Sequence, residues 1–225
     1  MINAKECCKM DLWVIVLEGG LYLNIAQKYV KGLKRAYCEN GGNKQWNSFK
    51  KIVHGASMED MEKLRALYPD IPNSLLQLLE IVDGTYYRKY AEKKVARLFL
   101  GSDMEEYPYY LLSARQMADT KDNFRTWGDY LINREFDDIP VDEGICNDLN
   151  NLCWLHFSDC INNGGTSQLF IDFSPSAKGK KGQIVRYLHD PDELVIVADS
   201  FDEYLQMLMD GEYDFITEEN VEELE

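Results

Sequence analysis

The sequence predicts an α+β fold, and three observations carry the prediction. Residues 168–198 hold three runs rich in β-branched and aromatic residues, parted by turn residues, as in an antiparallel meander. Apolar residues recur at helical spacing ahead of them, from Trp46 to Val82. Behind them Ser200-Phe201-Asp202-Glu203 has the S-x-x-E form of a helix start.

In chain order, the first forty-odd residues show only a basic helix around Ile25 to Tyr37, closed by the break Glu39-Asn40-Gly41-Gly42-Asn43. They read as an extension, residues 1–45, attached to a main domain, residues 46–215, with an acidic tail, residues 216–225. Trp46, Phe49, Ile52 and Val53 share a helical face, and Ser57 caps a second helix running to Leu67. Pro72 opens a third, whose Leu75, Leu76, Leu78, Leu79 and Val82 make a wide apolar face before Asp83-Gly84. Strands are expected at Ala96–Leu100 and Tyr109–Leu112. A long helix capped by Ser113 then runs through Met117, Phe124, Trp127 and Leu131 towards Ile132. The acidic run from Glu135 to Gly144 reads as loop, and Leu152–Phe157 as strand.

Glycines and lysines crowd residues 163–187 as they do in a phosphate-binding loop, but Lys180-Lys181 is followed by Gly182-Gln183 and a β-branched run. The hydroxyl residue and the helix that such a loop requires are both missing. A sheet reading accounts for the stretch: Gly164-Gly165 form a tight turn, Gln168–Phe173 and Gln183–Leu188 are strands, and His189-Asp190-Pro191-Asp192 turns the chain into Leu194–Ala198. Phe201, Tyr204, Leu205 and Leu208 then form a helical stripe ending at Gly211.

At 225 residues with 45% hydrophobic content, the chain is long enough for one substantial core. The apolar run Leu12–Leu17 is too short for a membrane span. Six cysteines without a dense framework fit reduced thiols in a cytoplasm. The net charge of -15 is uneven: residues 1–51 carry nine Lys/Arg against four Asp/Glu, and residues 52–225 fifteen against thirty-five. An acidic main domain disfavours direct nucleic-acid binding and favours a partner with a basic surface.

The W-x-x-F-x-K-x-I start at Trp46, the IPNSLLQLLEIVDG helix, the WLHFSDCINNGGTSQLFIDFSP strand pair and GQIVRYLHDPDELVIVADSFDEYL resemble the Smi/Knr type of the SUKH superfamily over residues 46–210. The resemblance implies a twisted, mainly antiparallel sheet flanked by helices. It also implies a non-catalytic role without cofactor or membrane: immunity protein neutralising a cognate toxin, or regulatory scaffold of the cell-wall kind. Trp154, Gly164, Gly165, Asp172, Gly182, Ala198, Ser200 and Phe201 match its recurrent positions and are expected in turns, caps and core. The first 45 residues depart from the pattern.

Competing chemistry is weaker. Cys146, Cys153 and Cys160 fall seven apart around His156, without the paired clusters of a zinc site. On a strand Cys153 and His156 point to opposite faces, which argues against a Cys/His hydrolase. His189-Asp190-Pro191-Asp192 reads as turn chemistry. The expected partner-binding residues are Tyr86, Tyr87, Asp103, Glu105, Glu106, Tyr107 and Tyr109, since tyrosines interleaved with carboxylates suit a protein interface.

Overall fold

The computed structural model describes residues 23–104, 108–162 and 165–222. Its centre is a five-stranded antiparallel sheet in the order β3-β4-β5-β6-β7: β3 (Tyr110–Leu111), β4 (Trp154–Asn162), β5 (Gly165–Asp172), β6 (Gln183–Leu188) and β7 (Glu193–Ala198). The last four follow one another as a meander, as the turn residues between them require. Gly182, at φ 92, supplies the left-handed turn into β6, and its N–H donates to Asp172 O at 2.7 Å.

Helices cover one face of the sheet. These are α1 (Ile25–Glu39), α2 (Asn43–Lys50), α3 (Met58–Leu67), α4 (Asn73–Ile81), α5 (Ala114–Asp119) and, after α6 (Asp129–Ile132), α7 (Phe201–Asp210) and α8 (Glu218–Glu222). Four of the starts are capped by side chains. Ser57, Ser113 and Ser200 each accept from the N–H three residues on, and Asn24 exchanges hydrogen bonds with Gln27 at 2.9 and 3.1 Å.

The structure corrects the expected boundary at residue 45. Ala26, Tyr29, Leu33, Ala36 and Tyr37 of α1 are buried in the main core with Leu75, Leu79, Leu205 and Leu208. Val221 of α8 is also in that core, so the expected acidic tail packs on the domain as far as this helix. The expected basic helix is present, but its polarity hid its place in the core: its lysines and arginine lie on the outer side of a narrow apolar stripe.

Buried tyrosines brace the irregular stretch from Gly84 to Gly101. Phenols of Tyr29, Tyr37, Tyr90 and Tyr204 donate to the carbonyls of Phe99 (2.7 Å), Leu98 (2.7 Å), Gly84 (2.7 Å) and Gly101 (2.6 Å). These buried carbonyls need such donors because no backbone ladder reaches them. The expected strand Ala96–Leu100 is therefore irregular, joined to Tyr109 through a bridge at Leu100 and a hydrogen bond from Phe99 N at 2.9 Å. The regular pairing lies just ahead, in a hairpin of β1 (Arg88–Tyr90) and β2 (Lys93–Val95) that turns at Ala91, φ 51.

The long helix expected from Ser113 to Ile132 is broken into α5, a 3-10 turn at Phe124–Thr126, and α6. Met117 belongs to the helix-covered core, whereas Phe124 and Leu131 pack on the other sheet face with Trp154, Phe170 and Tyr187. One straight helix cannot bury residues on both sides of a sheet. The break falls at Thr120-Lys121-Asp122-Asn123, where Asp122 takes φ 64.

Candidate protein-interaction surface

The tyrosine-rich stretch divides once folded. Tyr86, Tyr87 and Tyr110 pack ring against ring at 5.2, 5.6 and 6.1 Å, and Tyr87 is 42% exposed. Their neighbours are basic: Lys94 Nζ stands 4.5 Å over the Tyr87 ring, and Lys89 and Lys93 share the hairpin. Tyr109 is fully buried and cannot touch a partner at the surface, which corrects its assignment there. Asp103 is committed to Arg186, whose Nε and Nη2 donate to it at 2.6 and 3.0 Å while Nη2 also reaches Glu193 at 2.6 Å. Glu105, Glu106 and Tyr107 lie outside the described residues.

Folding segregates charge further than the sequence suggests. Tyr37 of α1 bonds Leu98 and Phe49 of α2 meets Tyr90 of the hairpin at 6.5 Å, so two basic stretches distant in sequence are packed together. Elsewhere the segment from α6 to Glu143 exposes Asp129, Glu135, Asp137, Asp138, Asp142 and Glu143. Among them Phe136 is 52% exposed, with its ring 6.1 Å from Tyr130. A parallel bridge from Val141 to Leu194 ties this acidic lobe to β7.

The turn after β6 locks the lobe's other edge. Asp192 accepts from the Tyr130 phenol at 2.5 Å and from the Tyr187 phenol at 3.0 Å, and lies 3.2 Å from His189 Nδ1. Burial raises the Asp192 pKa, but these hydrogen bonds together outweigh it and hold the carboxyl below its ordinary value. Its acceptor sites are engaged in holding the turn. Asp190 beside it is exposed.

Residues that suggested metal or nucleophilic chemistry are kept apart. Cys153 is exposed, whereas Cys160 and His156 are buried. Among the described residues, no three His, Cys, Asp or Glu side chains come close enough to share a metal ion. A β-bulge at Phe157 shifts the β4 register between His156 and Ser158. It thereby puts His156 and Asp159, three apart, on one face with His156 Nε2 3.8 Å from the carboxylate. Burial drives His156 down to about 4 and Asp159 up to about 7. Both are therefore mainly uncharged around pH 5.5.

The recurrent motif positions occupy distinct structural roles. Trp154 stacks near Phe124 and Phe170 at 4.8 and 5.0 Å. Gly165 opens β5 opposite Asn162, while Gly164 lies outside the described residues. Asp172 is fully buried and accepts from Ser174 N and Gln183 Nε2 at 2.8 and 2.9 Å. Ala198 ends β7, Ser200 caps α7, and Phe201 packs on Phe157 at 5.4 Å.

No helix among the described residues is long and apolar enough to cross a membrane. No curated protein matches the chain. The family model for the SMI1 / KNR4 family (SUKH-1) matches residues 55–207, which run from the glycine before α3 into α7 and include the whole five-stranded sheet. With the match spanning more than half its length, the chain belongs to the SMI1 / KNR4 family (SUKH-1).

Proposed function

We propose that this protein is a non-catalytic, cytoplasmic immunity protein that neutralises a cognate toxin by stoichiometric occlusion. The observation that carries the reading is the acidic lobe, where the half-exposed Phe136 sits among Glu135, Asp137 and Asp138. A toxin that acts on nucleic acid needs a basic groove to hold phosphates. An acidic surface with an aromatic among its carboxylates complements such a groove in charge: the carboxylates steer the encounter, and the ring provides an anchor to bury. The lobe suits a basic partner better than the Tyr86-Tyr87-Tyr110 cluster does, because lysines flank that cluster.

Co-expression tests the proposal. A candidate toxin taken from the genes beside this one is produced in cells with and without the chain, and the two proteins are then purified together. Restored growth with a 1:1 complex is expected. Cells that die despite full expression of the chain, or that survive without any complex forming, would overturn it.

A further inference from the structure

The sheet ends on an edge that is only half covered. β7 is its last strand, and Leu194 turns its outward groups to the acidic lobe: its N–H donates to Pro140 O, and its carbonyl accepts from Asp142 N, both at 2.9 Å. Backbone groups alternate in direction along a strand, so the next outward pair belongs to Ile196. Among the described residues nothing bonds to it. From there the lobe crosses onto the sheet face: Gly144 is set against the Ile196 side chain, and its carbonyl accepts from Ser176 N at 3.0 Å and Gln183 Nε2 at 3.1 Å.

Beside this open half runs a groove of about 390 Å³, floored by Ile196, Val197, Ala198 and Asp199 and walled by Glu203 and Met207 of α7. Ile196, Val197 and Ala198 in its floor are apolar and half-buried, while Asp199, paired with Lys180, and Glu203 at the rim are exposed. Natural edge strands are normally covered, charged or bulged along their length. Here a register shift between Ile184 and Val185 leaves Val197 without an opposite residue on β6, which limits new pairing to the few residues around Ile196. Side-chain contacts in the groove must then provide much of the affinity.

We propose that β7 and α7 form a docking groove for an extended segment of a basic protein, which adds to the sheet beside Ile196. The segment places β-branched side chains on Val197, Ala198 and Met207, and a lysine or arginine against Glu203. Charge complementarity selects this occupant: the groove adjoins the acidic lobe at Leu194, and residues 52–225 carry thirty-five carboxylates against fifteen Lys/Arg, so a second copy pairing through the same edge would meet like charge. The inference rests on the protein-binding reading above and adds to it the way the partner is held.

The probe is a library of random twelve-residue peptides displayed on phage and selected on the immobilised full chain. The expected winners alternate valine or isoleucine with lysine or arginine. The best of them, as a synthetic peptide, slows hydrogen exchange at the Ile196 amide at least tenfold. Glu203→Lys with Met207→Glu lowers its affinity about tenfold, and Glu203→Lys alone, at an exposed site, serves if the pair disturbs folding. Selection without enrichment over the bare support, or peptides that protect other segments, would overturn the groove. A peptide that protects Ile196, with a toxin that is not neutralised, would remove the immunity reading and leave the groove. A neutralising complex in which Ile196 still exchanges freely would do the reverse.

Discussion

The phenol of Tyr29 donates to the carbonyl of Phe99 at 2.7 Å, across seventy positions of sequence. This bond fastens a helix outside the family match to the buried loop beneath it. In turn Tyr213 donates to Tyr29 O at 3.0 Å, so α1 is tied to the segment after α7 as well.

A chain beginning at Asn43 is therefore expected to lose its cooperative thermal transition, because removing α1 exposes the core against which Ala26, Tyr29, Leu33 and Tyr37 pack. Tyr29→Phe tests the bond itself: leaving the Phe99 carbonyl without its donor costs about 1–3 kcal/mol in urea unfolding. A truncated chain that melts sharply near the full-length temperature would show that α1 is dispensable.

His156 and Asp159 make a matched prediction about pH. His156 falls from 6.5 to about 4, so its stabilisation is present above pH 6.5 and lost as pH falls through 4. Asp159 rises from 3.8 to about 7, so its stabilisation is present below pH 3.8 and lost as pH rises through 7. Between about 4 and 6.5 the folded pair holds one proton, on Asp159, and the unfolded pair also holds one, on histidine. Their combined contribution is flat in that window. Asp159→Asn unmasks the histidine, and stability then climbs with pH. His156→Gln unmasks the acid, and stability then falls. Each slope approaches about 1.4 kcal/mol per pH unit. Urea midpoints from pH 4.5 to 6.5 that keep the wild-type slope in both variants would rule the pair out.

Arg186 is 2% exposed and is held between Asp103 and Glu193, so Asp103→Ala acts on folding more than on binding. Removing one of the two carboxylates that face a buried guanidinium costs about 1–3 kcal/mol, and added salt recovers little of it because the charge is screened from solvent. A variant as stable as wild type, but slower to bind its partner, would return Asp103 to the interface.

Association kinetics separate the two candidate faces. Asp137→Asn with Asp138→Asn lowers the on-rate for the toxin several-fold at low salt, an effect that fades as salt is added. Phe136→Ala raises the off-rate about tenfold. Glu105→Gln with Glu106→Gln, assayed in parallel, reports on the tyrosine-rich stretch. Loss confined to that second pair would move the interface away from the acidic lobe.

Local sequence was enough to determine the meander and its closing helix. Gln183–Leu188 is a strand to the residue, and Ser200 caps α7, because strand alternation, turn residues and caps are written within a few neighbouring positions. The family was also legible, since its specific motifs coincide with those local features. What tertiary structure alone decided were relationships between distant residues. Short-range patterning cannot show that the stripe on α1 meets Leu205 and Leu208, that the chain must break at Asp122 to serve both faces of the sheet, or that Tyr109 turns inward while Tyr87 turns out. Nor can it show that folding packs the basic helices beside the lysine hairpin, exposes the carboxylates from Asp129 to Glu143, or places Ile196 on an edge strand. Burial and electrostatic fields depend on where remote segments are brought together, and a linear pattern does not carry that information.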